Sequence, residues 1–145
     1  LDVIVPFYNE ERYLKQSVER LLRAKIHNKI HLVNNNSTDS SINIAKKFPQ
    51  IKVVLAHMGG NDTSVVKKAI AASKEIPNVY FDTSGISTPY RVEFAVKEIG
   101  SKRILFGSDF PWCSLKGMYY GVYDALISKK DKELIFNKNF RNLLS

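Results

Sequence analysis

Five short apolar runs constrain this chain more than any other feature. They are residues 2–5 (DVIV), 29–33 (KIHLV), 51–56 (IKVVLA), 78–82 (NVYFD) and 103–106 (RILF). Most are rich in Val, Ile or Leu and lack polar–apolar alternation, which fits strands covered on both faces, as in a parallel sheet. Between them, apolar residues recur at helical spacing. One stripe is Tyr13, Leu14, Val18, Leu21 and Leu22. A second is Ile42, Ile44, Ala45 and Phe48, a third Val65, Val66, Ala69 and Ile70, and a fourth Val92, Phe94, Ala95, Val96 and Ile99. Two further helices are expected around 119–127 and 132–144. The alternation predicts an α/β fold: a five-stranded parallel sheet sandwiched by helices, with right-handed crossovers. The leading strand order is 2-1-3-4-5, flavodoxin-like or Rossmann-like. A chain of 145 residues suits one domain, 1–145, and is short of the roughly 250 residues of a complete eight-stranded barrel. The weakest seam is the polar, proline-containing joint at 46–50 (KKFPQ).

Composition narrows the partners. No apolar run approaches the roughly 18 residues of a membrane span, and no basic-then-apolar leader opens the chain, so neither a membrane nor a secretory role is expected. The single cysteine, Cys113, excludes an internal disulfide and any multi-cysteine metal site; a cytoplasmic setting is the default. The net charge of +8 could favour anions. The lysines are scattered along helices (Lys15, Lys46, Lys67, Lys97, Lys129), which reads as a solvated surface rather than a nucleic-acid site. A small-molecule ligand is the expected partner.

Ligands of parallel sheets bind beyond the carboxyl ends of the strands, and every such end here is polar. The first carries Pro6, Tyr8, Asn9, Glu10 and Glu11; the second Asn34 to Asp39; the third His57, Met58, Gly59 and Gly60; the fourth Asp82, Thr83, Ser84 and Gly85; the fifth Gly107, Ser108 and Asp109. Structural roles account for several of them. Asn9 can cap the first helix, with Glu10 and Glu11 in its first turn; Ser37, Thr38 or Asp39 can cap the second, and residues 61–64 the third. Asp82 and Ser84 can bind backbone in a turn. His57 and Asp109 are harder to place this way, because each follows an apolar strand directly, where a charge must be wet or paired. With Asp82 they could line a pocket for a zinc-like or manganese-like divalent ion. His27 and His31 have helical ligand spacing but fall on a strand, which argues against a metal role.

No nucleotide-binding glycine loop and no G-x-S-x-G nucleophile elbow occurs. Cys113 reads as structural. Tyr119, Tyr120 and Tyr123 read as a packed helix face rather than a base-stacking platform.

Two stretches resemble known families. Residues 1–48, with VIVPFYNEERYL and HLVNNNSTDSSINIAKKF, are similar to the start of a family 2 glycosyltransferase of the GT-A fold. That resemblance implies that Pro6, Tyr8, Glu10 and Asn34 stand at nucleotide-contacting positions; the D-x-D motif of that family is absent. Residues 49–145, with IKVVLAHMGG, NVYFDTSG, RILFGSDFPW and NFRNLL, resemble the C-terminal part of a metal-dependent amidohydrolase of the aminocarboxymuconate-semialdehyde-decarboxylase-like group. This implies that His57 matches the histidine of barrel strand six and Asp109 the metal-side aspartate of strand eight.

The two resemblances together lead to the expectation of a recombined or engineered chimera with a partial metal site. Self-association through surfaces left open in truncated parents would accompany it. The alternative is a metal-dependent hydrolase or decarboxylase in which His57 and Asp109 hold the ion, helped by Asp82 or Glu10, with Asp109 catalytic. A nucleotide or nucleotide-sugar module using Pro6, Tyr8 and Asn34 is the second alternative.

Overall fold

The computed structural model describes residues 2–25, 29–35, 37–60 and 62–144. His27 and Asn61 lie outside the described residues. The five apolar runs form five parallel strands: β1 (Asp2–Phe7), β2 (Lys29–Asn34), β3 (Lys52–Leu55), β4 (Val79–Asp82) and β5 (Ile104–Leu105). Between and after them lie α1 (Leu14–Ala24), α2 (Ser41–Ala45), α3 (Thr63–Ala72), α4 (Pro89–Ile99), α5 (Leu115–Tyr123), α6 (Lys129–Glu133) and α7 (Asn139–Leu144). A wider π turn, Leu134–Lys138, joins α6 to α7.

The strand order corrects the sequence expectation. Neighbours in space are neighbours in sequence, β1-β2-β3-β4-β5, and not 2-1-3-4-5. Hydrophobic patterning identifies strands but not the side on which each crossover lands. Here every crossover steps the same way, the progression of an α/β barrel. Asn35 N–H donates to the Phe7 carbonyl at 2.9 Å, and Val33 pairs with Val54. β2 therefore stands between β1 and β3, so Glu10 and His57 follow strands that are not neighbours, whereas the order 2-1-3-4-5 would make them so.

The two faces of the sheet are unequal. Phe7, Leu32, Val53, Phe81 and Ile104 face the side where Val18, Ile70 and Val92 of the helices pack, giving one continuous core. Phe81 is fully buried. The opposite face carries a smaller cluster, Val54 and Leu105 under Leu143 of α7, with Val33 and Tyr80 beside it. Cover thins toward β1, where Ile4 is 57% exposed. The strands look uniformly apolar because even this less covered face carries Ile4, Val33, Val54 and Leu105.

Several helix starts follow the sequence. Asp62 caps α3, its Oδ1 accepting from the backbone N–H of Ser64 at 2.7 Å and of Val65 at 3.3 Å. Pro89 opens α4. Ser114 caps α5 through Gly117 N–H. Asn9 does not cap α1, which begins at Leu14 without a side-chain cap. Asn9 instead adopts a left-handed conformation (φ 52°) and accepts from Thr38 N–H at 2.8 Å, while its own N–H donates to Ser37 Oγ at 3.0 Å. With Glu10 N–H to Ser41 Oγ (2.8 Å) and Glu11 N–H to Asp39 Oδ2 (3.0 Å), these bonds zip the β1 and β2 ends together. Asp39 Oδ1 also accepts from Ser41 N–H in the first turn of α2.

Two stability predictions follow from this packing. Phe81→Ala removes a fully buried ring and should cost about 3–5 kcal/mol, whereas Ile4→Ser should stay within about 0.5 kcal/mol; urea unfolding midpoints compare them. Asp131 accepts from the Ser101 and Ser128 hydroxyls, each at 2.6 Å, and these bonds hold its carboxyl below the usual 3.8. The folded state thus binds this proton less readily than the unfolded chain. The stabilisation is complete above the usual value and is lost as pH falls through the lowered one. Asp131→Asn should flatten the acid limb of Tm against pH and lower Tm at neutral pH.

Candidate functional site

The site forms where β3, β4 and β5 end. After β3 the chain enters a tight turn, Ala56–Gly59, in which His57 (φ 55°) and Met58 (φ 53°) are left-handed. After β5, Asp109 is left-handed as well (φ 55°), and a cis bond joins Phe110 to Pro111. Left-handed conformations cost a non-glycine residue about 1–2 kcal/mol each and collect at sites that need a side chain aimed in a set direction. The apolar strands beneath hold these turns in place.

The β4 end is the hub. Asp82 Oδ1 accepts from His57 N–H at 3.0 Å, from Ser84 N–H at 2.9 Å and from the Ser84 hydroxyl. One carboxylate oxygen thereby fastens the β3 turn to the β4 turn. His57 Nδ1 lies 3.0 Å from the Ser84 carbonyl oxygen and 3.1 Å from Ser84 Oγ. Thr83 fastens β4 to β5: its hydroxyl donates to the Gly107 carbonyl at 3.2 Å and accepts from Gly107 N–H at 3.1 Å. A Cβ on Gly107 would stand 3.1 Å from Ser84 Cβ and 3.3 Å from Asp82 Cγ, so a side chain here would have to push the β4 end aside by a few tenths of an ångström.

His57 and Asp109 come together at Gly85. A Cβ there would lie 3.0 Å from His57 Nδ1 and 3.7 Å from Asp109 Oδ2, so imidazole and carboxylate both stand close to one residue that itself has φ 66°. Cys113 adds a neighbour: its N–H donates to the Asp109 carbonyl at 2.9 Å, and its Sγ lies 3.8 Å from Asp109 Oδ2. Phe110 and Trp112 (87% exposed) project beside this end. On the less covered face, a cavity of about 170 Å³ is lined by Ile4, His31, Val33, Asp82, Phe106 and Leu143.

Of the residues expected from sequence, His57, Asp82 and Asp109 share this end. Among the described residues, no three of His, Cys, Asp and Glu are grouped to hold a metal ion. Glu10 stands at the β1 end, separated from β3 by β2; its carbonyl accepts from Tyr13 and Leu14 N–H. Pro6, Tyr8 and Asn34 share the β1–β2 end without converging. Asn34 is in register with buried Phe7 and accepts from Ser37 N–H at 3.2 Å. Pro6 faces the other side of the sheet, and Tyr8 is 56% exposed. Sequence reading assigned Ser84 only a turn and gave Thr83, Gly85 and Gly107 no site role. The one local signal, for Ser84 alone, was the D-T-S-G run, with an acceptor two residues ahead of a donor.

Parallel strands in sequential order with a polar site at their carboxyl ends define an α/β-barrel class of protein. The chain belongs to the amidohydrolase family, whose pattern it matches over residues 8–145. It is similar in structure to a TIM-barrel protein from Bordetella bronchiseptica (TM-score 0.73, 20% identity, 97% of this chain and 56% of that one). A putative 2-pyrone-4,6-dicarboxylic acid hydrolase from Pseudomonas putida is also similar (0.69, 13%, 98% and 62%), as is a dihydroxybenzoic acid decarboxylase from Polaromonas sp. with bound manganese and an inhibitor (0.63, 19%, 94% and 55%). At these identities the likeness is one of fold, and the chain spans little more than half the length of these relatives. No curated protein matches it in sequence. The family match crosses the expected seam at 46–50 and covers most of the segment that resembles a glycosyltransferase. No comparison supports a glycosyltransferase part or a chimera.

Removing the hub tests this geometry. Asp82→Ala strands the Ser84 N–H and hydroxyl and leaves the His57 N–H only its 3.3 Å bond to Ser84 Oγ, at about 1–3 kcal/mol for each buried group left unpaired. Ser84→Ala leaves both N–H bonds to Asp82 intact. In chemical denaturation Asp82→Ala should therefore lose at least twice the stability that Ser84→Ala does.

Proposed function

We propose that this chain carries the β3–β5 portion of the active site of an amidohydrolase-type hydrolase or decarboxylase acting on a small carboxylated or lactone substrate. The observation that carries the reading is the placing of His57 and Asp109 next to Gly85, both in left-handed conformations, at the strand ends. An imidazole is suited to proton transfer near neutral pH. With Nδ1 facing Ser84, its free Nε2 serves either a proton, taken from an attacking water or returned to a carbon that has lost carbon dioxide, or a divalent ion, and not both at once. The exposed rings of Phe110 and Trp112 offer planar apolar surface to an aromatic substrate.

A nitrogen and a carboxylate oxygen suit zinc or manganese, so His57 and Asp109 would hold such an ion in part. Asp82 Oδ1 is engaged by its three donors, and further ligands would come from outside this cluster. When bound, a divalent ion supplies Lewis-acid polarisation of a carbonyl. Thr83, Gly107 and Asp82 keep the two donors in place, and Cys113 accompanies Asp109.

The absence of a group of three ligands among the described residues favours a second reading, in which the fold carries an inherited but incomplete site without turnover. Metal content by mass spectrometry, after purification without chelators, separates the two. Near-stoichiometric zinc or manganese that Asp109→Asn abolishes is expected under the first reading. No metal in either protein would overturn it and leave Asp109 as a turn residue.

A further inference from the structure

We infer that the Asp82–Ser84 turn locks His57 in its Nδ1–H tautomer, making Nε2 the ring atom that works. Asp82 and Ser84 are then positioning residues for His57. That role rests on reading His57 as the working imidazole; the tautomer itself does not.

The assignment comes from what surrounds Nδ1. At 3.0 Å is the Ser84 carbonyl oxygen, which can only accept. At 3.1 Å is Ser84 Oγ. A hydroxyl has one proton, and this one goes to Asp82 Oδ1, a carboxylate oxygen that can only accept when ionised. Toward the ring, Ser84 Oγ is therefore an acceptor as well. It already accepts in the same sense from His57 N–H at 3.3 Å. Two acceptors face Nδ1 and no donor does, so in the neutral ring Nδ1 carries the hydrogen and the lone pair sits on Nε2.

Asp82 sets this up from a distance. It does not touch the ring. It accepts the N–H of His57 and the N–H of Ser84, and so fixes both the backbone that carries the imidazole and the backbone whose carbonyl receives the imidazole proton. The left-handed φ of His57 turns the ring over the β4 end, and Gly85 leaves room for it: a Cβ there would press on Nδ1 at 3.0 Å. Donation from one ring nitrogen to an oxygen orients the ring and makes the other nitrogen a better base or ligand. A carboxylate that sequence placed among the metal ligands thus acts through the histidine.

The test is a long-range ¹H–¹⁵N correlation spectrum of the ring nitrogens of the as-purified chain at about pH 8, above the ordinary histidine pKa of about 6.5. The chain has three histidines, and His57→Gln identifies the signals that belong to His57. The wild type should show the Nδ1–H pattern at His57. Ser84→Ala should keep it, because the carbonyl remains. Asp82→Ala should turn it into a mixture with a raised Nε2–H fraction. If Asp82→Ala does not fold, Asp82→Leu, close in shape and without an acceptor, takes its place, with the same direction expected. An Nε2–H ring in the wild type would overturn the tautomer. An unchanged pattern in a folded Asp82 variant would overturn the positioning role. An Nδ1–H ring in a protein without metal leaves this inference standing and removes the enzymatic reading; an Nε2–H ring in a protein with metal does the reverse.

Discussion

One oxygen atom, Asp82 Oδ1, organises the functional end of this molecule. It accepts three hydrogen bonds from two turns that belong to different strands. Parallel strands are connected at a distance, so no tight turn joins their carboxyl ends, and side chains do much of the fastening there. A carboxylate is suited to that work because its charge strengthens every bond it accepts. Thr83 does the same toward β5 with a neutral hydroxyl. Between them, His57 and Asp109 are held in backbone conformations they would not adopt alone.

The core supplies the stability that these turns draw on. Phe81 and Leu32 are fully buried against the helices, and each of the strained turns begins where such a strand stops. The other face is thinly covered, with Leu143 of α7 over Val54 and Leu105 and a cavity that reaches Asp82. The hub carboxylate therefore lies between the strand-end cluster and the inner face. An α/β barrel keeps its chemistry in the same relation to its interior.

Much of the fold was legible in the sequence, for a physical reason. Strand and helix have different apolar periods, and the runs VIV, VVL and ILF announce strands, although the first is less covered than its sequence implies, with Ile4 exposed. Strand order was not legible. Val33 would pack as well beside one neighbour as another, and the evidence for barrel progression lies in the register, not the pattern. Of the site, His57 and Asp109 stood out because polar groups directly after apolar strands need partners. For Asp82 the sequence left two roles open, a metal ligand or a turn residue, because a carboxylate looks the same in sequence whether it binds a metal or backbone; the structure adds that it bonds two turns. The glycines at 85 and 107 were silent, since their meaning lies in which neighbours a Cβ would strike. Asn9 looked like a helix cap because caps are the common use of asparagine at such a place. Its bonds run instead to the loop after β2.

The central claim, that Asp82 fastens the β3 and β4 ends into one unit, is tested most directly by amide hydrogen exchange at His57 and Ser84. The account predicts that both amides are protected in the wild type and that both lose protection in Asp82→Ala, while Val54 and Phe81 within the strands keep theirs. Rapid exchange of both amides in the wild type, or unchanged protection in the variant, would contradict it.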